Sequence, residues 1–381
     1  MLHRAPPQKK QEIKEYCLNQ VVNKKTSEVD KMIVREYKRI GEGAFGTVVE
    51  AVLKKCSANE KAEEQQENPW LGPFAIKRVP AQTEYKSREL EILRLVDHPN
   101  IVGLRYYFDR ISSADGKVYQ NLVMECLSSD LQFEIRYYRR SKYTIPYPHM
   151  KVYTFQLARA MLYLHAFRIA HRDIKPSNIL IDPVNIQLKV CDFGSAKRLE
   201  QNQPSVSYIC SRFYRAPELI VGCPIYSTQI DIWGLGCIIA EMFLGKPIFQ
   251  GETPESQLKE ISKLLGPPSK TFLFNNNPHY RGNIYSTKLF SCSVEEQFRQ
   301  VFSNSPTEAI DLLMRILVYE PELRASPRRI LSHPFFNEIR REDFSVYSRA
   351  SSEPKKINLL DFSDFELNLM GSLKNEILGL S

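Results

Sequence analysis

The sequence predicts an α+β protein of two lobes, in which an antiparallel β lobe with one main helix precedes a mostly helical lobe. β-Branched residues and glycines alternate from Tyr37 to Lys54, and Phe74 to Val79 repeats a short strand pattern. In the second half of the chain, apolar residues recur with helical spacing over long stretches. The boundary between the lobes is expected near Cys126.

The individual elements follow from the same periodicities. A helix is predicted from Glu84 to Val96, because Leu90, Leu93 and Val96 share one helical face. A further strand is predicted at Asn121–Met124. The helical stretches of the second lobe run from His149 to His165, from Ile230 to Phe243 and from Thr307 to Leu317.

Three segments lack such patterns. Residues 1–33 are polar with few apolar positions at any regular period, which predicts a flexible N-terminal extension. The stretch from Lys54 to Pro73 is rich in charged and amide residues and predicts a long surface loop. Residues 337–381 form a C-terminal extension that either packs on the second lobe, through Leu359 to Phe362, or stays partly disordered.

Composition excludes several classes of protein. With 381 residues, 43% of them hydrophobic and 25% charged, the chain is typical of a globular protein. Its eight cysteines form no CxxC pair and no cluster with zinc spacing. The net charge of +8 is spread along the chain, which argues against nucleic-acid binding. No stretch is apolar enough for a membrane span or a secretion signal, so a cytoplasmic protein that can also enter the nucleus is expected.

The first chemical motif is Gly41-Glu42-Gly43-Ala44-Phe45-Gly46-Thr47-Val48. Glycines at this spacing let backbone N–H groups approach phosphates closely. The β-branched residues that follow continue as a strand, whereas a dinucleotide-binding turn would lead into a helix. The pattern favours a glycine-rich hairpin over ATP phosphates, and a hairpin without any ligand is the alternative.

Lys77 lies on the strand after this hairpin, and Glu89 follows on the predicted helix. A carboxylate there could hold the ammonium against the α and β phosphates of ATP. On its own, Lys77 would be interpreted as a solvated strand lysine; its place after the glycine motif favours the phosphate role.

The most specific motif is His171-Arg172-Asp173-Ile174-Lys175-Pro176-Ser177-Asn178. Asp173 would orient the substrate hydroxyl and accept its proton, and Lys175 would stabilise the transferred phosphoryl group. Asn178, with Asp192 of Asp192-Phe193-Gly194, would hold Mg²⁺ through hard oxygen ligands.

Ala216-Pro217-Glu218 closes the segment that begins at Asp192. We expect Glu218 to form a structural ion pair with Arg324, far along the helical lobe.

With these motifs in order, the chain from Tyr37 to Phe336 resembles a eukaryotic protein kinase. The segment from Ser207 to Leu219 and the run from Asp192 to Lys197 resemble the glycogen synthase kinase 3 family of the CMGC group. The resemblance implies the bilobal kinase fold over residues 34–336, with an N-lobe at 34–125, a hinge at 125–129 and a C-lobe at 130–336. It implies ATP and Mg²⁺ as cofactors and protein serine or threonine as the acceptor.

The resemblance also implies how substrates are chosen. The segment from Asp192 to Glu218 contains no threonine, and Tyr208 is expected to be phosphorylated by the kinase itself. Arg88, Arg172 and Lys197 would bind a phosphate already present on the substrate, four residues C-terminal to the target. A CMGC kinase without this priming requirement is the alternative.

The adenine ring is expected against backbone groups of the hinge and between apolar side chains, with Met124 at the rear of the pocket. The predicted ATP-binding residues are Ile40, Gly41, Glu42, Gly43, Ala44, Phe45, Gly46, Val48, Ala75, Lys77, Glu89, Met124, Glu125, Leu127 and Leu180.

Other expectations concern partners and regulation. The region from Leu264 to Tyr280 matches the place where the family docks scaffold helices, with a surface insert as the alternative. A monomer or weak dimer is expected, and no autoinhibition through Ser27, which lacks an Arg-rich context. A pseudokinase scaffold and a tyrosine kinase are the rival functions; the complete motifs disfavour the first and Lys175 the second.

Overall fold

The computed structural model describes residues 13–43, 46–56, 68–81, 88–113, 115–282, 292–349, 351 and 353–380. The chain divides into two compact units, Met1–Asp97 with Val102–Cys126 and His98–Ile101 with Leu127–Ser381. The division at Cys126 lies where the sequence predicts the boundary between the lobes. The assignment of His98–Ile101 to the second unit was not predicted.

The first unit is built from strands and one described helix. These are β1 (Lys14–Asn23), β2 (Val29–Gly43), β3 (Gly46–Lys55), β4 (Leu71–Pro80), α1 (Arg88–Leu95), β5 (Leu104–Ile111) and β6 (Val118–Glu125). The strands pair antiparallel into a closed barrel in the order β1-β2-β3-β4-β6-β5. Its core includes Met32, Val34, Ile76 and Phe108. The predicted β lobe with one helix is thus confirmed.

The prediction of a flexible extension over residues 1–33 was wrong for the part that the structure describes. Residues Lys14–Asn23 form β1, which pairs with β2 and, through Val22 and Asn23, with β5. Tyr16 and Leu18 pack against the barrel core, and Val21 is fully buried within it. A register shift between Leu18 and Val21 changes which positions face inward. This β-bulge conceals the period-2 pattern that would have indicated a strand.

The prediction of a surface loop from Lys54 to Pro73 was also wrong at both ends of that stretch. β3 continues to Lys55 and β4 begins at Leu71. Trp70 lies under the Arg35 guanidinium, 4.2 Å from the ring centroid, so the approach to β4 packs on the barrel. Residues 57–67 lie outside the described part.

The second unit is mostly helical. Its helices are α2 (Leu131–Arg140), α3 (Tyr147–Ala166), α4 (Pro217–Ile220), α5 (Gln229–Leu244), α6 (Pro254–Leu265), α7 (Lys270–Asn276), α8 (Val294–Val301), α9 (Thr307–Ile316), α10 (Pro327–Ser332), α11 (Asp364–Met370) and α12 (Lys374–Leu378). Its strands are β7 (Ser129–Asp130), β8 (Ile169–Ala170), β9 (Ile179–Asp182), β10 (Gln187–Val190), β11 (Lys197–Arg198), β12 (Ser345–Tyr347) and β13 (Pro354–Lys356).

The centre of this unit is formed by α3 and α5, which are buried along most of their length. A Cβ at Gly236 of α5 would lie 2.5 Å from Ile316 of α9, so close packing of these helices requires glycine there. The C-terminal extension packs on the unit, since Leu359, Met370 and Ile377 are buried. Among the described residues, no helix is long and apolar enough to cross a membrane.

Candidate active site

The first unit contains a buried ion pair between β4 and α1. Lys77 Nζ lies 2.6 Å from Glu89 Oε1 and 2.8 Å from Oε2. The two residues are only 6% and 5% exposed. Strand alternation turns Ile76 into the barrel core and Lys77 to the opposite face. The pair therefore holds an ammonium in a defined position, as a phosphate anchor requires.

The glycine motif forms the hairpin between β2 and β3. Gly41 pairs with Val48 and Gly43 with Gly46, so the motif leads into a strand and not into a helix. Gly46 has φ +135°, and a Cβ there would lie 1.8 Å from the Arg78 carbonyl oxygen, so only glycine fits. Ala44 and Phe45, also predicted to contact ATP, lie outside the described residues.

An apolar surface surrounds Lys77 on the same face of the sheet. Val48 lies opposite Lys77 on β3, and Met124 lies opposite Ala75 on β6. Directly paired residues share one face, so these side chains line the surface on which an adenine ring is expected. Of the other predicted contacts, Ile40 is exposed in this unit, while Leu127 and Leu180 are half-buried in the second unit.

The motif from His171 to Asn178, the catalytic loop, lies in the second unit and is organised around Asp173. Lys175 Nζ lies 2.7 Å from Asp173 Oδ2. The Asn178 side chain donates to the Asp173 carbonyl oxygen at 2.9 Å and to Oδ2 at 3.1 Å. The structure thus brings together Asp173 and Lys175, which the sequence assigned to catalysis, and the predicted metal ligand Asn178.

Ser211 is a further polar residue at Asp173, and the sequence analysis missed it. Its hydroxyl donates to Asp173 Oδ1 at 2.8 Å, and its backbone N–H donates to the same oxygen at 3.0 Å. Lys175 Nζ donates to the Ser211 hydroxyl at 3.0 Å. Ser211 therefore orients the charged groups of Asp173 and Lys175.

Asp231, near the start of α5, holds the backbone of the loop. Its carboxylate accepts the N–H groups of His171 at 2.7 Å and of Arg172 at 2.9 Å. The His171 Nε2 in turn lies 2.9 Å from the carbonyl oxygen of Cys191, next to Asp192. A carboxylate within the largely apolar sequence of α5 was the signal that could have identified Asp231.

Comparison with known proteins indicates the family of this chain. The model of the protein kinase domain matches residues 34–336, the bounds predicted for the domain. The chain is 56% identical to protein kinase MCK1 of Saccharomyces cerevisiae over 364 residues, which cover 95% of this chain and 94% of that protein. It is 40% identical to the glycogen synthase kinase-3 homolog YGK3 of the same yeast over 373 residues, covering 97% and 95%. Identity with protein kinase gsk3 of Schizosaccharomyces pombe is 40% over 357 residues, covering 93% and 87%.

The chain belongs to the glycogen synthase kinase 3 family of protein kinases. It is a protein serine/threonine kinase that uses ATP and acts on protein substrates. The predicted fold class, family and enzyme class are thereby confirmed.

The kinase carries oxygen ligands suited to a divalent metal. Asp192 supplies a carboxylate, and the Asn178 amide directs its NH₂ group at Asp173, which leaves its Oδ1 pointing elsewhere. Within the described ranges, no three His, Cys, Asp or Glu residues are grouped to hold a metal. Mg²⁺ prefers one or two protein oxygens together with nucleotide phosphates, so the residues present fit this ion.

Asp192 is held in an unusual backbone conformation, with φ 63° and ψ 72°. This left-handed region is uncommon for a residue other than glycine. Phe193, which follows, is fully buried with its ring centroid 5.0 Å from that of His171. The buried ring anchors the turn that presents the Asp192 carboxylate.

The predicted phosphate-binding cations are distributed over both units. Arg88 is exposed on α1 of the first unit. In the second unit, Arg172 Nε donates to the Ser195 carbonyl oxygen at 2.6 Å, and Lys197 Nζ donates to Ser205 Oγ at 2.7 Å. The joint action of all three cations stays a prediction.

Tyr208 lies on the surface of the segment from Asp192 to Glu218, the activation segment, with 70% of the residue exposed. Its ring centroid is 4.5 Å from the Arg215 guanidinium carbon. Arg215 also donates to the carbonyl oxygens of Ile209 at 2.6 Å and Cys210 at 2.8 Å. Burial raises the pKa of the Cys210 thiol, which disfavours the thiolate form.

The predicted pair of Glu218 and Arg324 is present. The guanidinium bonds both carboxylate oxygens, at 2.7 and 2.6 Å, and neither side chain is more than 1% exposed. Arg324 also donates to backbone oxygens, including those of Val318 and Tyr319. This pair joins the end of the activation segment to the helical core.

Proposed function

We propose that this kinase phosphorylates serine or threonine in proteins that already carry a phosphate four residues C-terminal to the target. We also propose Mg²⁺ as the metal that accompanies ATP, and Tyr208 as a self-phosphorylation site.

The observation that carries the priming proposal is the bonding of Arg172 and Lys197. The acceptors seen for both are neutral oxygens, those of Ser195, Ser205 and Tyr226. In the described part of the chain, neither cation forms an ion pair with a carboxylate. Lys197 pairs with Ala170 across β8 and β11, so it lies close in the fold to Arg172. Exchange of neutral acceptors for a phosphate dianion would strengthen each hydrogen bond.

In the proposed reaction, Asp173 orients the substrate hydroxyl and accepts its proton as the oxygen–phosphorus bond forms. The bond between the γ-phosphorus and ADP breaks in the same transfer. Lys175 lies beside Asp173 and neutralises charge on the transferred group. Lys77 holds the α and β phosphates, and Glu89 keeps its ammonium in place. Asp192 and Asn178 would hold Mg²⁺, which when bound would neutralise part of the triphosphate charge.

The test compares two serine peptides that differ only in a phosphate four residues C-terminal to the target. We expect kcat/KM to favour the primed peptide. Lys197→Met should raise KM for that peptide by about tenfold, since a charge-assisted hydrogen bond is lost, and should leave the other peptide unaffected. Arg198→Met, on the exposed neighbour, is the control. Equal rates for both peptides would reject priming and favour a CMGC kinase without this requirement.

Self-phosphorylation is supported by the exposure of Tyr208 and by the nearby Arg215, which could pair with a phosphotyrosine. Mass spectrometry of wild type and Asp192→Asn, both expressed in a host without related kinases, tests it. Tyr208 phosphate should be present only in the wild type. Phosphate on the inactive variant would exclude self-modification.

We also propose that a partner helix docks near α6 and α7. Phe274 on α7 is 69% exposed, which supports an apolar contact at this surface. Loss of partner capture by Phe274→Ser, with unchanged kinase activity, is the expected result. For location, we propose a cytoplasmic protein that can also enter the nucleus. For assembly, we propose a monomer or a weak dimer.

A further inference from the structure

The C-terminal clamp, defined as residues 359–370, is fastened to α3 by one buried arginine. Arg159 donates from Nε to Glu366 Oε1 at 2.5 Å and from a terminal nitrogen to Oε2 at 3.0 Å. Its other terminal nitrogen lies 2.7 Å from Asp361 Oδ1. The guanidinium also lies over the Phe362 ring, 4.5 Å from its centroid. Glu366 is 1% exposed, so this contact is shielded from water.

The Glu366 carboxylate also contacts His98, which precedes the residues that bond to β10. His98 Nε2 lies 3.0 Å from Glu366 Oε1, and His98 Nδ1 accepts the Asn100 N–H at 3.0 Å. Since Nδ1 accepts, Nε2 carries the proton and donates to Glu366. Burial lowers the pKa of His98, which agrees with a neutral ring.

Asn100 continues the connection into β10. Its side chain donates to the Leu188 carbonyl oxygen at 3.0 Å, and its own carbonyl accepts the Val190 N–H at 2.9 Å. β10 ends at Val190, two residues before Asp192. Hydrogen bonds therefore run from Glu366 through His98 and Asn100 to the strand that presents Asp192.

Ser363 lies on the outer side of this carboxylate. It is exposed, its hydroxyl donates to Glu366 Oε2 at 2.8 Å, and its backbone N–H donates to the same oxygen at 2.9 Å. Asp364 and Glu366 follow it at one and three positions. Acidic residues in this pattern suit a kinase whose substrate groove is basic.

We propose that Ser363 is a phosphorylation site for an acid-directed serine kinase, and that a phosphate there loosens the C-terminal clamp and slows phosphoryl transfer by this protein. The modifying kinase uses ATP: Ser363 Oγ bonds the γ-phosphorus, the bond to ADP breaks, and the hydroxyl proton passes to that kinase's base. The product lacks the O–H donor to Glu366. Its added charge of about −1.5 to −2 repels Glu366 and Asp361.

The chain offers a matched control at Ser293. Ser293 caps α8 with the same reciprocal contacts to Glu296, and its hydroxyl lies 3.1 Å from Glu296 Oε2. Within the described residues, Glu296 forms no ion pair, whereas Glu366 holds Arg159 and His98. Charge added at Ser293 should therefore affect its own helix and leave β10 unchanged.

The experiment compares Ser363→Asp with Ser363→Asn in the full chain. Both residues cap helices, so the pair differs in charge and hardly in shape. We expect Ser363→Asp to speed hydrogen exchange at residues 98–101 and 188–190 and to lower kcat/KM by about threefold or more relative to Ser363→Asn. Ser293→Asp and Ser293→Asn should not differ in either readout. Equal exchange for the two Ser363 variants, or slower exchange in Ser363→Asp, would overturn the proposal.

Direct modification is measured on Asp192→Asn protein, which removes self-phosphorylation. A purified acid-directed serine kinase with ATP should place phosphate on Ser363, as read by mass spectrometry, and should speed exchange at residues 98–101. An unmodified Ser363 under conditions that phosphorylate a peptide of residues 359–370 would overturn the proposal. Neither exchange readout depends on the priming preference of this kinase or on Mg²⁺ at its own active site.

Discussion

Replacement of Ser211 by alanine removes two hydrogen bonds from the catalytic loop while leaving its backbone in place. The Ser211 hydroxyl donates to Asp173 Oδ1 at 2.8 Å and accepts from Lys175 Nζ at 3.0 Å. The backbone N–H of residue 211 still donates to Asp173 at 3.0 Å. A hydrogen bond to a charged group contributes about 1.5–3 kcal/mol, and the remaining N–H offsets part of the loss.

We expect transition-state stabilisation to fall by about 2 kcal/mol, which corresponds to about a 30-fold lower kcat/KM. The assay is steady-state phosphate transfer to a serine peptide at saturating ATP. Ser211→Thr keeps the hydroxyl and should recover most of the activity, whereas Asp173→Asn sets the lower limit. Thermal unfolding of Ser211→Ala should match the wild type. A kcat/KM within threefold of wild type would refute an orienting role for Ser211.

Three further predictions concern buried charges. Glu218→Ala leaves the fully buried Arg324 without its carboxylate and should lower the free energy of unfolding by about 3–5 kcal/mol. Calorimetry should show a Tm lower by about 6–20 °C. The control Glu200→Ala removes an exposed ion pair and should shift Tm little. Glu89→Gln weakens the hold on Lys77 and should raise KM for ATP and lower kcat/KM by about tenfold; an unchanged KM would contradict the anchoring role. Burial raises the pKa of Glu366, but His98 and Arg159 outweigh this effect and hold it well below its usual range. The stability that Glu366 contributes is therefore full above its unfolded pKa of about 4.3 and is lost as pH falls below it. The difference between the unfolding free energies of wild type and Glu366→Gln should therefore shrink as pH is lowered from about 5 to about 3.

The elements with uninterrupted periodicity were predictable from sequence. α3 and α5 extend only one or two residues beyond the predicted His149–His165 and Ile230–Phe243. Apolar residues recur along the whole of both stretches, because both helices are buried along most of their length. β1 was missed because its bulge changes the inward-facing positions between Leu18 and Val21. A short strand with an interrupted period resembles a polar linker.

The candidate site likewise contains residues that the sequence predicts and residues that only the fold reveals. The motif of eight consecutive residues contains Asp173, Lys175 and Asn178, so it alone predicts that their side chains lie close together. Ser211 and Asp231 reach the loop from distant positions in the chain, and only the fold brings them there. The anchoring of Glu366 by Arg159 could not be predicted either, since 207 positions separate the two residues.

The closed barrel has a practical consequence for anyone who cuts this kinase to its catalytic domain. A chain that starts at residue 34, where the family match begins, lacks β1 and the first five residues of β2. β2 and β5 would then present unpaired backbone groups, and the pocket vacated by Val21 would expose apolar surface. Open edges of this kind pair with other chains, so the shortened protein should aggregate where the protein that keeps β1 stays dispersed.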